Sequence, residues 1–275
     1  MNKDFPYFNE EQIGILQGYK FSRFISFDKF IDFMTKGLFI PNATLFEDNS
    51  EGYVLLKEGF LKIKTNELEK TGIFKCFPEY DGDVTSKSEL IEHYKSKTFV
   101  SCWYNETSES IAMWKYYGAN PNSVMITTDG YELSKIYFAN EQFIDNSFIA
   151  KMGLVKYVKR GEWDLKYNEV PLFHNREILG TKIDAPEVFL FESFFFKQHP
   201  YSFEKEIRLV IRKHEIENEP YLPGIRLEIK NYNSFIKGIK LSPEASLWFR
   251  DTVQWTLNQF NIDTKIESSI VNIFT

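Results

Sequence analysis

The sequence predicts an α+β fold in a single domain spanning residues 1–275, and three observations carry that reading. Segments that alternate like strands are mixed irregularly with segments of helical period instead of following strand-helix-strand order. No internal repeat is apparent, which sets a solenoid aside. The 275 residues are 43% hydrophobic and include 27 phenylalanines, enough to build one large aromatic core and too apolar for extensive disorder.

Taken in order, residues 1–18 form a polar lead-in ending at Gly18, and Tyr19–Phe24 is a short strand. Ser26 then caps a helix whose Phe27, Phe30, Ile31 and Met34 fall on one face, with Gly37 as its stop. Leu38–Ile40 continues as a strand until Pro41. Residues 42–97 are polar with apolar islands at Tyr53–Leu56 and Phe60–Ile63 and a turn at Pro78–Gly82. They predict mostly helix with a long loop near 72–88, as in an insertion or lid. Thr98–Trp103 is a strand leading into a helix over Ser110–Tyr117 closed by Gly118, with Glu106 and Glu109 near its positive N-terminal end. Ser123–Thr128 is the next strand, followed by a helix around Leu133–Phe138 and a strand over Leu154–Val158. The aromatic run Ala185–Phe196 reads as a buried helix ended by the turn Lys197–Pro200, where His199 is a solvated turn residue. Gly224–Ile229 and Phe235–Leu241 alternate as strands, Ser242-Pro243 opens a helix striped by Phe249, Val253, Thr256 and Phe260, and Thr264–Val271 is a last strand.

A net charge of −6 argues against broad, non-specific nucleic-acid binding, although a local basic groove is compatible with it. The two cysteines, Cys76 and Cys102, have no second Cys or His at ligand spacing, which argues against a disulfide framework or a metal site and fits a cytoplasmic protein. The first residues carry no basic-then-apolar leader, and no apolar run is long enough for a membrane span. The glycine-rich, metalloprotease and nucleophile-elbow motifs are absent, so P-loop, Rossmann, zinc-protease and α/β-hydrolase chemistry lose their signatures.

The charged stretch Tyr201-Ser-Phe-Glu-Lys-Glu-Ile-Arg208 runs into the apolar strand that ends at Arg212. Strand alternation puts Glu204, Glu206 and Arg208 on one face. Two carboxylates beside a guanidinium make either an active-site edge or a salt-bridged sheet rim, and spacing alone favours the rim. Ser101, Trp103, Trp114 and Tyr117 gather around one strand-to-helix corner, as core packing or as a stacking wall.

Four segments together resemble a bacterial family of unknown function known by its domain number, 2971. They are Tyr19-Lys-Phe with Gly37-Leu-Phe-Ile-Pro41, Phe99-Val-Ser-Cys-Trp103 with Met113-Trp-Lys-Tyr-Tyr-Gly118, Phe203-Glu-Lys-Glu-Ile-Arg208, and Ile236-Lys-Gly-Ile-Lys-Leu-Ser-Pro243. Their order covers residues 19 to 271. Thr44-Leu-Phe-Glu-Asp-Asn-Ser-Glu51 departs from the family's Asn-Asp-Pro-Phe-Glu loop. The layout is similar in turn to ADP-ribosyltransferases, including the branch of toxins that modifies nucleic acids. That resemblance implies a split antiparallel sheet with flanking helices and NAD+ as substrate without a metal. It places Tyr19, Lys20 or Arg23, and Ser101 at the cofactor, Glu206 on the ribose and Glu204 toward the acceptor. Trp103, Trp114 or Tyr117 would stack on the nicotinamide or an acceptor base. It further implies a toxin or phage-defence setting, a nucleic-acid acceptor, and an antitoxin or chaperone partner. Two alternatives stand beside it: an NAD+ glycohydrolase, and a non-catalytic binding module of a defence system in which the charged row is only a sheet edge.

Overall fold

The computed structural model describes residues 18–46, 87–118, 120–140, 148–159, 176–178, 181–183, 193–213, 221–267 and 269–271. The lead-in, the apolar islands between residues 53 and 63, the turn at 78–82 and the Trp163 region lie outside them, as does the span 185–192.

The chain is mixed α+β around a mostly antiparallel sheet of seven strands. Its strands are β1 (Lys20–Ser26), β3 (Thr98–Tyr104), β4 (Ser123–Asp129), β5 (Phe148–Leu154), β10 (Glu206–Lys213), β12 (Gly238–Leu241) and β13 (Ile266–Glu267), in spatial order β13-β12-β4-β1-β3-β10-β5. Short pairs complete the strands: β2 (Leu38–Pro41) with β11 (Gly224–Leu227), β6 (Lys156–Val158) with β9 (Phe196–Gln198), and β7 (Arg176–Ile178) with β8 (Thr181–Ile183). The helices are α1 (Phe27–Lys36), α2 (Lys87–Ser96), α3 (Ile111–Met113), α4 (Gly130–Ala139), α5 (Tyr232–Phe235) and α6 (Leu247–Gln259). No helix among the described residues is long and apolar enough to cross a membrane.

One irregularity organises the sheet. β1 pairs with β4 along its whole length, from Lys20 opposite Asp129 to Ser26 opposite Ser123, and β3 pairs with β10 from Tyr104 opposite Glu206 to Thr98 opposite Arg212. Between β1 and β3 the register holds at Ser22 opposite Tyr104, and beyond that point the strands part. Residues directly opposite in an antiparallel pair share a face. Phe21, Phe99, Trp103, Ile207 and Leu209 therefore belong to the main core, together with Phe30, Phe33 and Met34 of α1. Each such burial contributes about 1.5–3 kcal/mol. On the opposite face stand Tyr104, Cys102, Glu206 and Arg208. The described end of the aromatic run lies on that side, where Phe195 packs so close over Gly153 of β5 that a Cβ there would fall 2.9 Å from its ring.

The α1 unit forms as its periodicity predicts, and Gly37 ends it in a left-handed backbone with φ 81. A side chain at that position would also strike the Leu227 carbonyl oxygen, 2.3 Å away, so glycine is required there on both counts. The two described ends of the expected insertion are tied together. The Asn42 amide donates to the Ser96 carbonyl at 2.6 Å, and Asn42 bridges to Phe99.

Several expected elements differ. The helix expected over Ser110–Tyr117 is one α turn that widens into a π-helix at Trp114–Gly118. The described end of the expected Ala185–Phe196 helix is a 3-10 turn, Ser193–Phe195, running into β9, because Phe195 packs over Gly153 and Phe196–Gln198 pairs with β6. β5 lies upstream of the strand expected at Leu154–Val158, whose own residues form β6. Ser242 caps only a turn, and α6 starts after Ser246, whose hydroxyl accepts from Phe249 N at 3.3 Å. The last expected strand contracts to β13.

Candidate functional site

Where β1 leaves β3, a cleft of about 700 Å³ opens, lined by residues from β1, β3, the π-helix, β9 and the start of β10. Ser22, Arg23, Cys102, Trp103, Tyr104 and Tyr117 form its sides, with Lys197, Tyr201, Glu204 and Glu206 at its charged end. Lys29 of α1 also lines it.

The charged end is built around one ammonium. Lys197 is 5% exposed, and its Nζ lies 2.5 Å from Glu204 Oε2 and 3.0 Å from Glu206 Oε1. It also faces the Tyr201 ring at 4.7 Å. Arg208 Nε donates to Glu206 Oε2, and Arg208 Nη1 donates to the Phe194 carbonyl at 2.8 Å. Tyr117 donates its hydroxyl to Glu204 Oε1 at 2.6 Å. Glu204, Glu206 and Arg208 are 3%, 5% and 1% exposed, so the row is a buried network and not a solvated rim.

The two glutamates sit on different elements. A 3-10 turn, His199–Glu204, ends at Glu204, and Lys205 adopts a left-handed conformation with φ 40 before β10 begins at Glu206. That break lets both carboxylates reach Lys197. Their environments push them apart. Burial raises Glu204 to about 7, reinforced by the neighbouring Glu206, while Lys197 and Tyr117 pull the other way. Burial also acts to raise Glu206, but Arg208, Glu204 and Lys197 outweigh it and hold that carboxyl well below the usual range. One group is thus fixed as an anion and the other titrates near neutrality, a division of labour that general acid-base chemistry can use. Arg208 is paired with Glu206 and helps to hold that carboxyl as an anion.

Across the cleft, Arg23 is half-buried with its guanidinium 5.7 Å from the centre of the Trp103 ring. Burial pulls that guanidinium below its ordinary value. Of the two cations expected on the first strand, Arg23 lines the cleft. Lys20 is exposed opposite Asp129, and Tyr19 packs against the core. Ser101 does not face the cleft. It is fully buried on the core side of β3, opposite Leu209, and its hydroxyl accepts from the Trp103 indole at 3.0 Å. Strand alternation separates it from Glu206, whereas Ser22 shares Glu206's side and hydrogen-bonds Thr127 at 3.0 Å. Trp114 packs edge-on against Phe24 at 4.8 Å and donates to Glu109, away from the cleft. The expected aromatic corner is therefore divided: Tyr117 stands in the cleft, Trp103 lines it while its ring packs in the core with Ser101, Phe21 and Phe235, and Trp114 lies behind its wall.

Lys197, Lys29 and Ser22 were not among the expected site residues. Lys197 left one trace in sequence: a lysine directly after Phe194-Phe195-Phe196, if buried with them, must find a carboxylate. Among the described residues no group of three or more His, Cys, Asp or Glu is arranged to hold a metal ion.

No protein-family model, curated protein or solved structure matches this chain.

Proposed function

We propose that this chain transfers ADP-ribose from NAD+ to a macromolecular acceptor, with a nucleic-acid base favoured. The observation that carries the reading is the pair at the end of one cleft: an ionised Glu206 and, on the same ammonium, a Glu204 that titrates at about 7. The parting of β1 from β3 is the feature expected of a split antiparallel sheet of the ADP-ribosyltransferase kind, and it supports the same reading.

The chemistry follows from those positions. The bond between nicotinamide nitrogen and ribose C1′ breaks, nicotinamide leaves with the bonding electrons, and positive charge spreads over the ribose. Glu206, fixed as an anion, stabilises that charge. Glu204 in its ionised form takes the proton that the acceptor loses as it bonds to C1′, and a value near 7 suits a base at neutral pH. Arg23 and Lys29 supply cations for the pyrophosphate, which a guanidinium grips in a bidentate way. The cleft volume, about 700 Å³, suits a ligand of dinucleotide size. Trp103, 2% exposed in the core, supports Arg23 from beneath, and Tyr117, 42% exposed, is the ring open for stacking. A toxin or phage-defence setting with a neutralising partner belongs to this same proposal.

The non-catalytic alternative needs the charged row on an exposed sheet edge, and its burial speaks against that. The deciding experiment incubates the protein with NAD+ labelled in the adenylate, together with single-stranded RNA, single-stranded DNA and protein acceptors. Label on an acceptor and released nicotinamide, both lost in Glu206→Gln, support transfer. Nicotinamide release without labelled acceptor assigns the hydrolase reaction. No release from wild type overturns the proposal.

A further inference from the structure

Outside the cleft, another buried carboxylate collects partners from distant parts of the chain. Glu109 lies just before α3, and its side chain is fully buried. Its Oε1 accepts from Trp114 Nε1 at 3.2 Å and from Ser269 Oγ at 2.7 Å. Its Oε2 accepts from Ile270 N at 2.8 Å, and Lys240 Nζ of β12 stands 3.8 Å away. A glutamate near a helix start gains from the helix dipole while staying in water, so the dipole does not explain this burial. The bonds themselves do: one carboxylate fastens the C-terminal segment and Trp114 together.

Trp114 begins the π-helix, and Tyr117, three residues later in it, donates to Glu204. A π turn is a costly local geometry that needs support from its surroundings. Here Trp114 is held against Phe24 on one side, and Gly118 closes the turn where a Cβ would fall 3.1 Å from Trp114 Cε3. Rotation of this turn would break the Glu109 bond, the Phe24 contact or the Tyr117 bond.

We propose that Glu109 is a positioning residue of the cleft, holding Trp114 and the Ser269–Ile270 segment so that the π-helix aims Tyr117 at Glu204. The C-terminal segment thereby helps to build a site that it does not touch. The consequence for catalysis rests on the reading of Glu204 as the acceptor's base, but the positioning itself does not.

The test reads the Glu204 carboxyl directly, by NMR titration of protein labelled with ¹³C at glutamate Cδ, the signal being assigned with Glu204→Gln. Lys197 of β9, Tyr117 of the π-helix and Glu206 of β10 are the ionisable groups facing it. Tyr117→Phe removes a hydrogen bond that favours the ionised form, so it moves the midpoint up by roughly one pH unit. Glu109→Gln, whose amide nitrogen cannot accept from Ile270 N, moves it in the same direction, and the double variant adds nothing to Tyr117→Phe. Ser269→Ala, a milder change that spares the fold, gives a smaller shift of the same sign. The proposal is overturned if Glu109→Gln and Ser269→Ala both leave the midpoint at its wild-type value, whether or not Tyr117→Phe moves it. The measurement needs no NAD+, so failure of the transferase reading would show separately, as absent nicotinamide release.

Discussion

The Lys197 ammonium lies 3.0 Å from Glu206 Oε1, and both side chains are almost wholly shielded from water. Nine residues separate them in the chain, and the turn at His199–Glu204 brings them face to face. With Arg208 on the other carboxylate oxygen, Glu206 is held as an anion at the end of the cleft. Glu206→Gln removes the negative charge and leaves two buried cations short of a partner. On the proposed reaction, NAD+ cleavage should fall at least about a hundredfold, the usual cost of losing a preorganised electrostatic contact. Thermal unfolding should drop as well, by up to roughly 3–5 kcal/mol, because a partner has been taken from a buried ion pair. Nicotinamide release and calorimetry check the two effects.

Glu204 gives the cleft a pH dependence near neutrality. The proposed transfer uses it as a base, so on that reading kcat/KM should rise with pH through an apparent value of about 7 and level off above it. Glu204→Gln should abolish that limb. Rates measured from pH 5 to pH 9, spanning roughly two units on either side of the midpoint, provide the check.

The same group affects stability with a definite sign. Its value in the folded chain, about 7, lies above the ordinary 4.5, so the folded state holds the extra proton between those values. The stabilisation is complete below pH 4.5 and is lost as pH rises to about 7. Glu206 has the opposite sign: its contribution is present above the ordinary carboxylate value and is lost as pH falls below it. Wild type should therefore lose about 1–2 kcal/mol relative to Glu204→Gln across that window, after allowance for solvent screening from the open cleft. Denaturant midpoints of the two proteins at matched pH measure the difference.

Arg23→Lys tests the far wall. A lysine keeps the charge but loses the two-pronged grip and the guanidinium's contact with the Trp103 ring. On the proposed reading, KM for NAD+ should rise by about tenfold with a smaller change in kcat, as expected when binding common to ground and transition states is removed. Steady-state kinetics separates the two constants.

Gly37→Ala tests the scaffold apart from any chemistry. Its φ of 81 and the carbonyl oxygen 2.3 Å from the new Cβ both oppose the change. The substitution should destabilise the fold by about 1–3 kcal/mol, read as a lowered unfolding midpoint.

Local elements with a clean period were legible from sequence. The α1 stripe and its Gly37 stop, the strands β1, β3, β4 and β11, and the glutamate pair were all visible, because each is fixed by neighbours within a few residues. The elements that differed were those whose form depends on remote packing. Phe194–Phe196 carries no period that distinguishes a buried helix from rings laid across Gly153. The π-helix likewise begins at Trp114, which shares the Glu109 carboxylate with Ser269, 160 positions beyond that glutamate.

By itself, the sequence determined the mixed α+β class, the residues that form most strands, and the charged chemistry available at Glu204, Glu206 and Arg208. The tertiary structure decided how that chemistry is divided. Strand alternation, once the pairing of β3 with β10 was set, put Ser101 on the core side and left Glu206 in the cleft. The separation of β1 from β3 opened space beside Arg23. A left-handed Lys205 turned Glu204 toward Lys197. Burial then set one carboxyl near 7, while Arg208, Glu204 and Lys197 overcame the same burial to hold the other far below it, a difference that depends on distances between segments and cannot be read from residue order.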